Sequence, residues 1–285
     1  MRKSIFDIAK ESINIKTDAI RIDKMAYNER NMYFDHGFRT IEDCVSDYCF
    51  EDWPYRGHCI SLYDFEDAIE YDELLEESKK GDITAFISLV EFVYNLWKMA
   101  ENKITHSEKS EFKWRNNFYH LKDVMDNNLE KMNHKVFFDD ERVLIIEDKP
   151  EVTAVAEIVE PDLSLDIIRY NHHSLRDEIE LKKAILLKMG SDLEPRRKEL
   201  SRMDSVLCDN IFYMLNNLNL RHNNRSKKSK NYKEYVAKMK KERLEKWYDE
   251  LYQMMLLAFL LLDNEERSNK VKELKLKIEG MKVNE

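Results

Sequence analysis

Glycine and proline are scarce in this chain, which holds 5 glycines and 4 prolines in 285 residues. Folds built mainly from strands need many tight turns, and tight turns draw on these two residue types. The scarcity therefore favours long helices joined by few connections. The charged fraction of 36% suits helices with solvated outer faces, and the hydrophobic fraction of 43% is too high for a disordered chain.

Helical periodicity is clearest over residues 83–104, where apolar residues recur every three or four positions. A second helix is predicted over 111–132, and the two form an antiparallel pair. Before them, Ser61 begins a helix that Gly81 ends, and residues 33–58 are irregular by pattern. Further helices are predicted within 2–33 and over 163–189, 203–220, 232–262 and 265–278.

Two short runs of β-branched and aromatic residues, 143–146 and 152–159, flank a charged DKPE turn and predict a small β-hairpin. We interpret it as an insertion between two parts of the chain. The length allows two modest domains, and we expect an acidic helical region over 1–160 and a second helical domain over 161–285. The predicted fold is mostly α, a bundle of long antiparallel helices with a two-stranded hairpin.

Export and membrane signals are missing from the sequence. The first residues, MRKSIFDIAKESINIK, lack the uninterrupted apolar core of a signal peptide, which predicts a cytoplasmic protein. The longest apolar run, residues 254–262, is about half as long as a membrane-crossing helix requires. We therefore expect a core or subunit-interface helix there and no membrane partner.

The cysteines indicate neither a disulfide framework nor a metal site. Four cysteines are too few and too unevenly placed for such a framework, so we expect reduced thiols. Cys44, Cys49, His58 and Cys59 are the one group with metal-ligand chemistry, but adjacent ligands such as His58 and Cys59 rarely converge on one zinc ion. Phosphate-binding glycine loops are also missing. We predict no metal and no cofactor.

Charge is strongly segregated along the chain. Residues 35–77 contain fourteen Asp or Glu and two Arg, a net charge of -12, whereas residues 221–246 contain eleven Lys or Arg and three Glu, a net charge of +8. The basic segment suits phosphates, or the acidic segment of the same or a neighbouring subunit. A solvated helix face without a partner is the third interpretation, because charge runs usually lie on the surface.

Three polar residues near the start of the basic segment are the main catalytic candidates. Asn217 and Arg221 are four residues apart, and this spacing predicts that they lie on one helical face. His222 follows at the helix end and can act as a general acid or base, while Arg221 offers a planar fork for a phosphate. The alternative is that Arg221 and His222 cap the helix by binding its last carbonyl groups.

A second Arg and His lie in RNNFYH, residues 115–120. In a regular helix the side chains of Arg115 and His120 are about 140° apart, so they could flank one groove without touching. The alternative is a surface Arg beside a half-buried His. This pair is our second choice for a site.

The sequence LNNLNLRHNN, followed by NYKEYVAKMKKERLEKWYDELYQMMLLAFLLL, resembles a junction of the HEPN superfamily in its abortive-infection variant. There an asparagine precedes an Arg-His pair and a long apolar helix follows. The resemblance covers residues 162–280 and implies a HEPN-like helical domain. HEPN nucleases typically separate Arg and His by several residues, whereas Arg221 and His222 adjoin. Either this pair acts, or the first half holds a module with Arg115 and His120, or catalysis has been lost.

The resemblance implies an abortive-infection or toxin-type ribonuclease, or an RNA-binding defence protein, that forms a homodimer through the C-terminal helices. Metal-independent cleavage would use His222 to remove the proton of a ribose 2′-OH, Arg221 to stabilise the phosphate and Asn217 to orient either group. DNA lacks the attacking 2′-OH and should survive. The RNA backbone would be held by Arg225, Lys227, Lys228 and Lys230.

A function of another class also fits the charge pattern. A non-catalytic interaction protein, such as an antitoxin or an adaptor, could bind a protein partner through its oppositely charged surfaces. The acidic 35–77 region would then contact the partner, mimic a nucleic acid or mask the basic segment.

Overall fold

The computed structural model describes residues 14–30, 32–34, 37–105, 113–114 and 117–279. As predicted, the fold is mostly helical, with thirteen α-helices and two small antiparallel sheets in this part of the chain. The chain divides into two compact units, residues 1–148 and 149–285. None of the described helices combines the length and the apolar content that crossing a membrane requires.

The first unit is built around one long central helix, α5 (Ile83–Thr105), which packs against four other helices and against one strand of the β-hairpin. Its apolar face, including Phe86, Leu89 and Trp97, is fully buried. The elements of this unit are α1 (Ile15–Tyr27), β1 (Met32–Phe34), β2 (Gly37–Arg39), α2 (Ile41–Tyr48), α3 (Leu62–Ala68), α4 (Tyr71–Lys80), α5 (Ile83–Thr105), β3 (Lys113–Trp114), α6 (Asn117–Lys131), β4 (His134–Asp139) and β5 (Arg142–Glu147).

Local sequence signals explain several boundaries in the first unit. Ser61 and Asp64 form a capping box at the start of α3, and Gly81 ends α4 with a φ of 98°, both as predicted. The predicted single helix between them is divided, because Glu70 adopts a left-handed φ of 55°. The prediction of irregular chain over 33–58 is wrong in part, since a second capping box at Thr40 starts α2.

The ends of the predicted helices 2–33 and 111–132 also differ from the structure. Residues 2–13 lie outside the described part, α1 covers 15–27, and residues 32–34 form β1. Of the first residues of 111–132, two form β3 and four lie outside the described part, and α6 begins at Asn117. β1 is the central strand of the small sheet, paired with β2 and β3 in antiparallel fashion.

The β-hairpin is confirmed, but its strands differ from those predicted. β4 and β5 pair from His134 opposite Glu147 to Asp139 opposite Arg142. The tight turn between them uses Asp140 with a φ of 56°. The predicted strand 152–159 is wrong: Pro150, whose ring favours the first turn of a helix, starts a helix over Pro150–Ala156.

In the second unit one long helix, α13 (Lys241–Ile278), packs against the helices that begin at Pro150, Ile179, Arg197 and Ser205. Its elements are α7 (Pro150–Ala156), α8 (Pro161–Arg169), α9 (Ile179–Leu193), α10 (Arg197–Met203), α11 (Ser205–Asn217), α12 (Glu234–Ala237) and α13 (Lys241–Ile278). The division at residue 148 precedes the boundary predicted near residue 160, because α7 packs on α8 and α13.

The four helices predicted in the second unit have boundaries that differ from those in the structure. The helix predicted over 163–189 is α8 and α9, separated by a 3-10 turn at His173–Leu175 and by Asp177 with a φ of 66°. The helix predicted over 203–220 begins at Ser205, where Asp204 provides the cap, and ends at Asn217. Most of the two helices predicted over 232–262 and 265–278 forms one continuous helix over 241–278. This segment contains no Gly or Pro that would end a helix.

A buried charge network joins α13 to the segment around α9. Lys182 Nζ lies 2.7 Å from Glu245 Oε1 and 2.9 Å from Asp249 Oδ1, and both Lys182 and Glu245 are buried. Tyr170 donates a hydrogen bond to Asp249, and the Asp177 amide donates one to Glu245. Burial alone would raise the pKa of Glu245, but the hydrogen bonds from Lys182 and Asp177 hold that pKa below its usual value.

Candidate nucleic-acid interface

The basic segment begins as a structured loop between α11 and α12, residues 218–233, which we call the basic loop. α11 ends at Asn217, and Asn219 turns the chain with a left-handed φ of 60°. The Arg221 amide then donates a hydrogen bond to the carbonyl of Leu215 at 2.9 Å. The prediction that Asn217 and Arg221 share a helical face is therefore wrong, because the helix has ended before Arg221.

A buried asparagine holds the basic loop in one conformation. Asn224 has 0% of its surface exposed. Its Oδ1 accepts from the Asn219 amide at 2.7 Å, and its Nδ2 donates to the Asn231 carbonyl at 2.8 Å. Its own carbonyl accepts from the Lys233 amide at 2.8 Å. These bonds hold the two ends of the sixteen-residue loop against each other.

Short polar turns present the lysines of the loop to solvent. Asn223 Oδ1 accepts from the amides of Arg225 at 3.2 Å and Ser226 at 2.8 Å, and Ser226 Oγ accepts from the Lys228 amide at 3.3 Å. Such turns are typical of Asn and Ser. The exposed side chains include Lys227, Lys228 and Lys230, and none of these three has an ion pair with a described residue.

Arg221 connects the basic loop to α9. Its Nη2 lies 2.5 Å from Glu194 Oε2 and donates to the Gly190 carbonyl at 3.3 Å. Its guanidinium carbon lies 5.4 Å from the centre of the Phe212 ring. A Cβ at Gly190 would lie 2.9 Å from the Leu215 side chain, so glycine at this position permits α9 to pack closely against α11. The Arg221 side chain therefore stabilises the loop, and one carboxylate already pairs with its charge.

His222 and three cationic side chains line an open pocket of about 620 Å³ at the surface of the second unit. The cations are Lys183 from α9, Arg221 and Arg225, and none of the described residues that line the pocket is acidic. Arg225 also donates to the Met239 carbonyl at 3.2 Å, which orients its side chain. His222 is exposed. The pocket can accept an anion the size of a phosphate beside an imidazole.

The structure brings some of the predicted site residues together and separates others. Arg221, His222 and Arg225 share the pocket, whereas Asn217 lines a neighbouring groove and donates to the Tyr213 carbonyl at 2.8 Å. Of the second-choice pair, Arg115 lies outside the described residues. His120 is exposed on α6, with its Nε2 2.5 Å from a guanidinium nitrogen of Arg21.

Two residues of this site were missed by sequence reasoning. Lys183 lines the pocket although it is far from the basic loop in the sequence, and only the packing of α9 brings it there. Asn224 was not among the predicted site residues. Its burial has no signal in the sequence, because nothing distinguishes it from the adjacent exposed Asn223.

The described part of the acidic 35–77 region, residues 37–77, contains β2, α2, α3 and most of α4. Burial raises the pKa of Glu42 and Glu66 above the usual range of a glutamate. The Cys49 thiol lies 3.7 Å from the Cys44 carbonyl, and the hydrogen bond with Cys49 together with burial raises the pKa of Cys44. All four cysteines are free thiols, as predicted. Exposed acidic side chains on α3 and α4 and next to them are Asp67, Glu70, Asp72, Glu73, Glu76 and Glu77.

Comparisons of the chain with protein families, with curated proteins and with solved structures find no match.

Proposed function

We propose that this protein binds RNA through the basic loop and the cationic pocket beside it. The observation that carries the proposal is the buried Asn224, which holds a lysine-rich loop in a single conformation at the edge of the pocket. Holding like charges together is unfavourable, and binding of a polyanion relieves their repulsion. Phosphates of an RNA backbone meet this requirement, because they bind Lys and Arg with release of counterions.

The resemblance to HEPN proteins of the abortive-infection type supports RNA as the polyanion. We propose on this basis that the protein acts in anti-phage defence and that its second unit is HEPN-like. The helical architecture of that unit is compatible with the resemblance. In this proposal Lys227, Lys228 and Lys230 hold the backbone, and Arg221 forms the wall of the pocket.

Reversing the charges of Lys227, Lys228 and Lys230 is expected to weaken RNA binding and to make that binding less dependent on salt. Each lysine that pairs with a phosphate steepens the dependence of log K on log[salt] by about 0.7 for a single strand. In the variant Lys227→Glu/Lys228→Glu/Lys230→Glu we expect a slope shallower by about 2. Fluorescence anisotropy with a labelled RNA at several salt concentrations measures both quantities.

The matched control reverses Lys270, Lys272 and Lys275, which are exposed on the last turns of α13 and change the net charge equally. This control variant is expected to keep most of the affinity. Equal losses in the two variants would mean that net charge alone governs binding. RNA binding that neither the loop variant nor the control variant weakens would favour the rival function, a protein partner for the acidic 35–77 region.

A second candidate activity is cleavage of the bound RNA. The observation that favours it is the exposed His222 in a pocket with three cations. We propose that the imidazole removes the proton of a ribose 2′-OH and that the 2′-oxygen then bonds to the adjacent phosphorus. The bond from phosphorus to the 5′-oxygen of the next nucleotide breaks, that oxygen takes a proton from water, and Lys183 and Arg225 stabilise the phosphate. Arg221 is held by Glu194 and contributes by positioning the loop. Asn217 takes no part in this step, because it lines the neighbouring groove.

Replacing His222 with alanine is expected to lower the cleavage rate by about 10²- to 10⁴-fold, the usual contribution of a general base. Bacterial cultures expressing the wild type, His222→Ala or His120→Ala are compared for growth and for fragments of total RNA on a gel. We expect growth arrest and RNA fragments with the wild type and with His120→Ala only.

Light scattering of the purified proteins shows whether they are homodimers, as the resemblance implies.

Intact RNA and normal growth in all three cultures would contradict cleavage and leave the proposal of RNA binding to be judged by the lysine variants. Growth arrest that depends on His120 and not on His222 would indicate that the active site lies in the first unit.

A further inference from the structure

An aromatic groove lies beside the cationic pocket in the second unit. It has a volume of about 270 Å³, and Asn217 and Lys233 are among its lining residues. Its aromatic side chains come from three elements: Tyr213 from α11, Tyr235 from α12 and Trp247 from α13. These side chains are 68%, 63% and 39% exposed. Large aromatic side chains this exposed leave ring faces available to a partner.

The charges around the groove restrict what can occupy it. Lys233 is both the last residue of the basic loop and part of the groove wall. The guanidinium carbon of Arg243 lies 5.6 Å from the centre of the Tyr235 ring. An occupant with a flat apolar face for the rings and a negative charge for the rim therefore matches both features of the groove. A nucleotide meets both conditions, because its base is flat and apolar and its phosphate is negatively charged.

We propose that this aromatic groove receives an unpaired base of a single-stranded RNA whose backbone runs along the basic loop. The inference rests on the proposed function and adds the class of substrate, because a base inside a duplex cannot reach the rings. Stacking accepts any base and does not involve the 2′-OH, so the groove also stacks the bases of single-stranded DNA.

The test compares the double variants Tyr213→Ala/Tyr235→Ala and Tyr213→Phe/Tyr235→Phe with the wild type. Fluorescence anisotropy measures the affinity for a single-stranded RNA, a DNA of the same sequence and an RNA duplex. The alanine variant is expected to bind both single strands about 5- to 140-fold more weakly, the loss that removing the stacking of one base causes. The phenylalanine variant keeps its rings and its affinity, and duplex binding is unchanged in both.

Three results would overturn the inference and leave RNA binding intact. They are wild-type affinity of the alanine variant for the single strands, an equal loss for the duplex, and a similar loss in the phenylalanine variant. A wild-type protein that binds none of the three nucleic acids would overturn the inference together with the proposed function. Both variants change exposed side chains, and circular dichroism checks that they remain folded.

Discussion

Replacing Lys182 with alanine is expected to lower the free energy of unfolding by about 3–5 kcal/mol, because the change leaves Glu245 buried without its cation. Both side chains are 9% exposed, so water cannot replace the lost partner. Urea unfolding followed by circular dichroism measures the difference. The matched control is Lys183→Ala on the same helix. Its side chain is half-buried and lies outside the network, so a change within about 0.5 kcal/mol is expected.

The pH dependence of this effect has a defined sign. The pKa of Glu245 is lowered in the folded protein, so its contribution to stability is present above the unfolded pKa of about 4.5 and is lost as the pH falls through the folded pKa. The deficit of Lys182→Ala should therefore shrink in acid. Lys182→Met combined with Glu245→Leu should recover much of the stability, since it removes both buried charges. A Lys182→Ala variant as stable as Lys183→Ala would contradict the proposed stabilising role of the buried charge network.

Replacing Asn224 with alanine is expected to disorder the basic loop and weaken RNA binding. The change removes the hydrogen-bond partner of the Asn219 amide and of the Asn231 carbonyl, and two lost hydrogen bonds cost about 2 kcal/mol together. The loop opens instead, so amide hydrogen exchange within it should accelerate by about 30-fold or more. Mass spectrometry measures the exchange, and anisotropy measures the accompanying loss of affinity.

Asn231→Ala is the matched control for this prediction. Asn224 contacts the backbone carbonyl of Asn231, which the control keeps, so both the exchange and the affinity should remain those of the wild type. Rapid exchange in Asn224→Ala with unchanged RNA affinity would show that loop order is unnecessary for binding.

Those parts of the fold that follow from local chemistry could be predicted from the sequence. The periodicity of 83–104 gave the central helix almost to the residue, and the capping residues Ser61 and Gly81 gave two boundaries. The break within 163–189 had no such signal. It depends on a 3-10 turn and on Asp177 in a left-handed conformation, which tertiary packing imposes without Gly or Pro.

The candidate site was only partly visible in the sequence for the same reason. The cluster of cations at 221–246 is a property of composition and was found directly. The role of Arg221 was not, because its partners Glu194 and Gly190 belong to a helix about thirty residues away and meet it only after folding. The aromatic groove likewise combines residues from three helices that no motif connects.

Cross-linking identifies where the RNA lies and tests the central claim directly. A single-stranded RNA containing 4-thiouridine is bound to the full chain, irradiated and digested, and the attached peptides are identified by mass spectrometry. RNA binding by the basic loop predicts cross-links within residues 213–247, at the loop lysines and at Tyr213 or Tyr235. Cross-links confined to the first unit, or none under conditions where RNA binds, would contradict it.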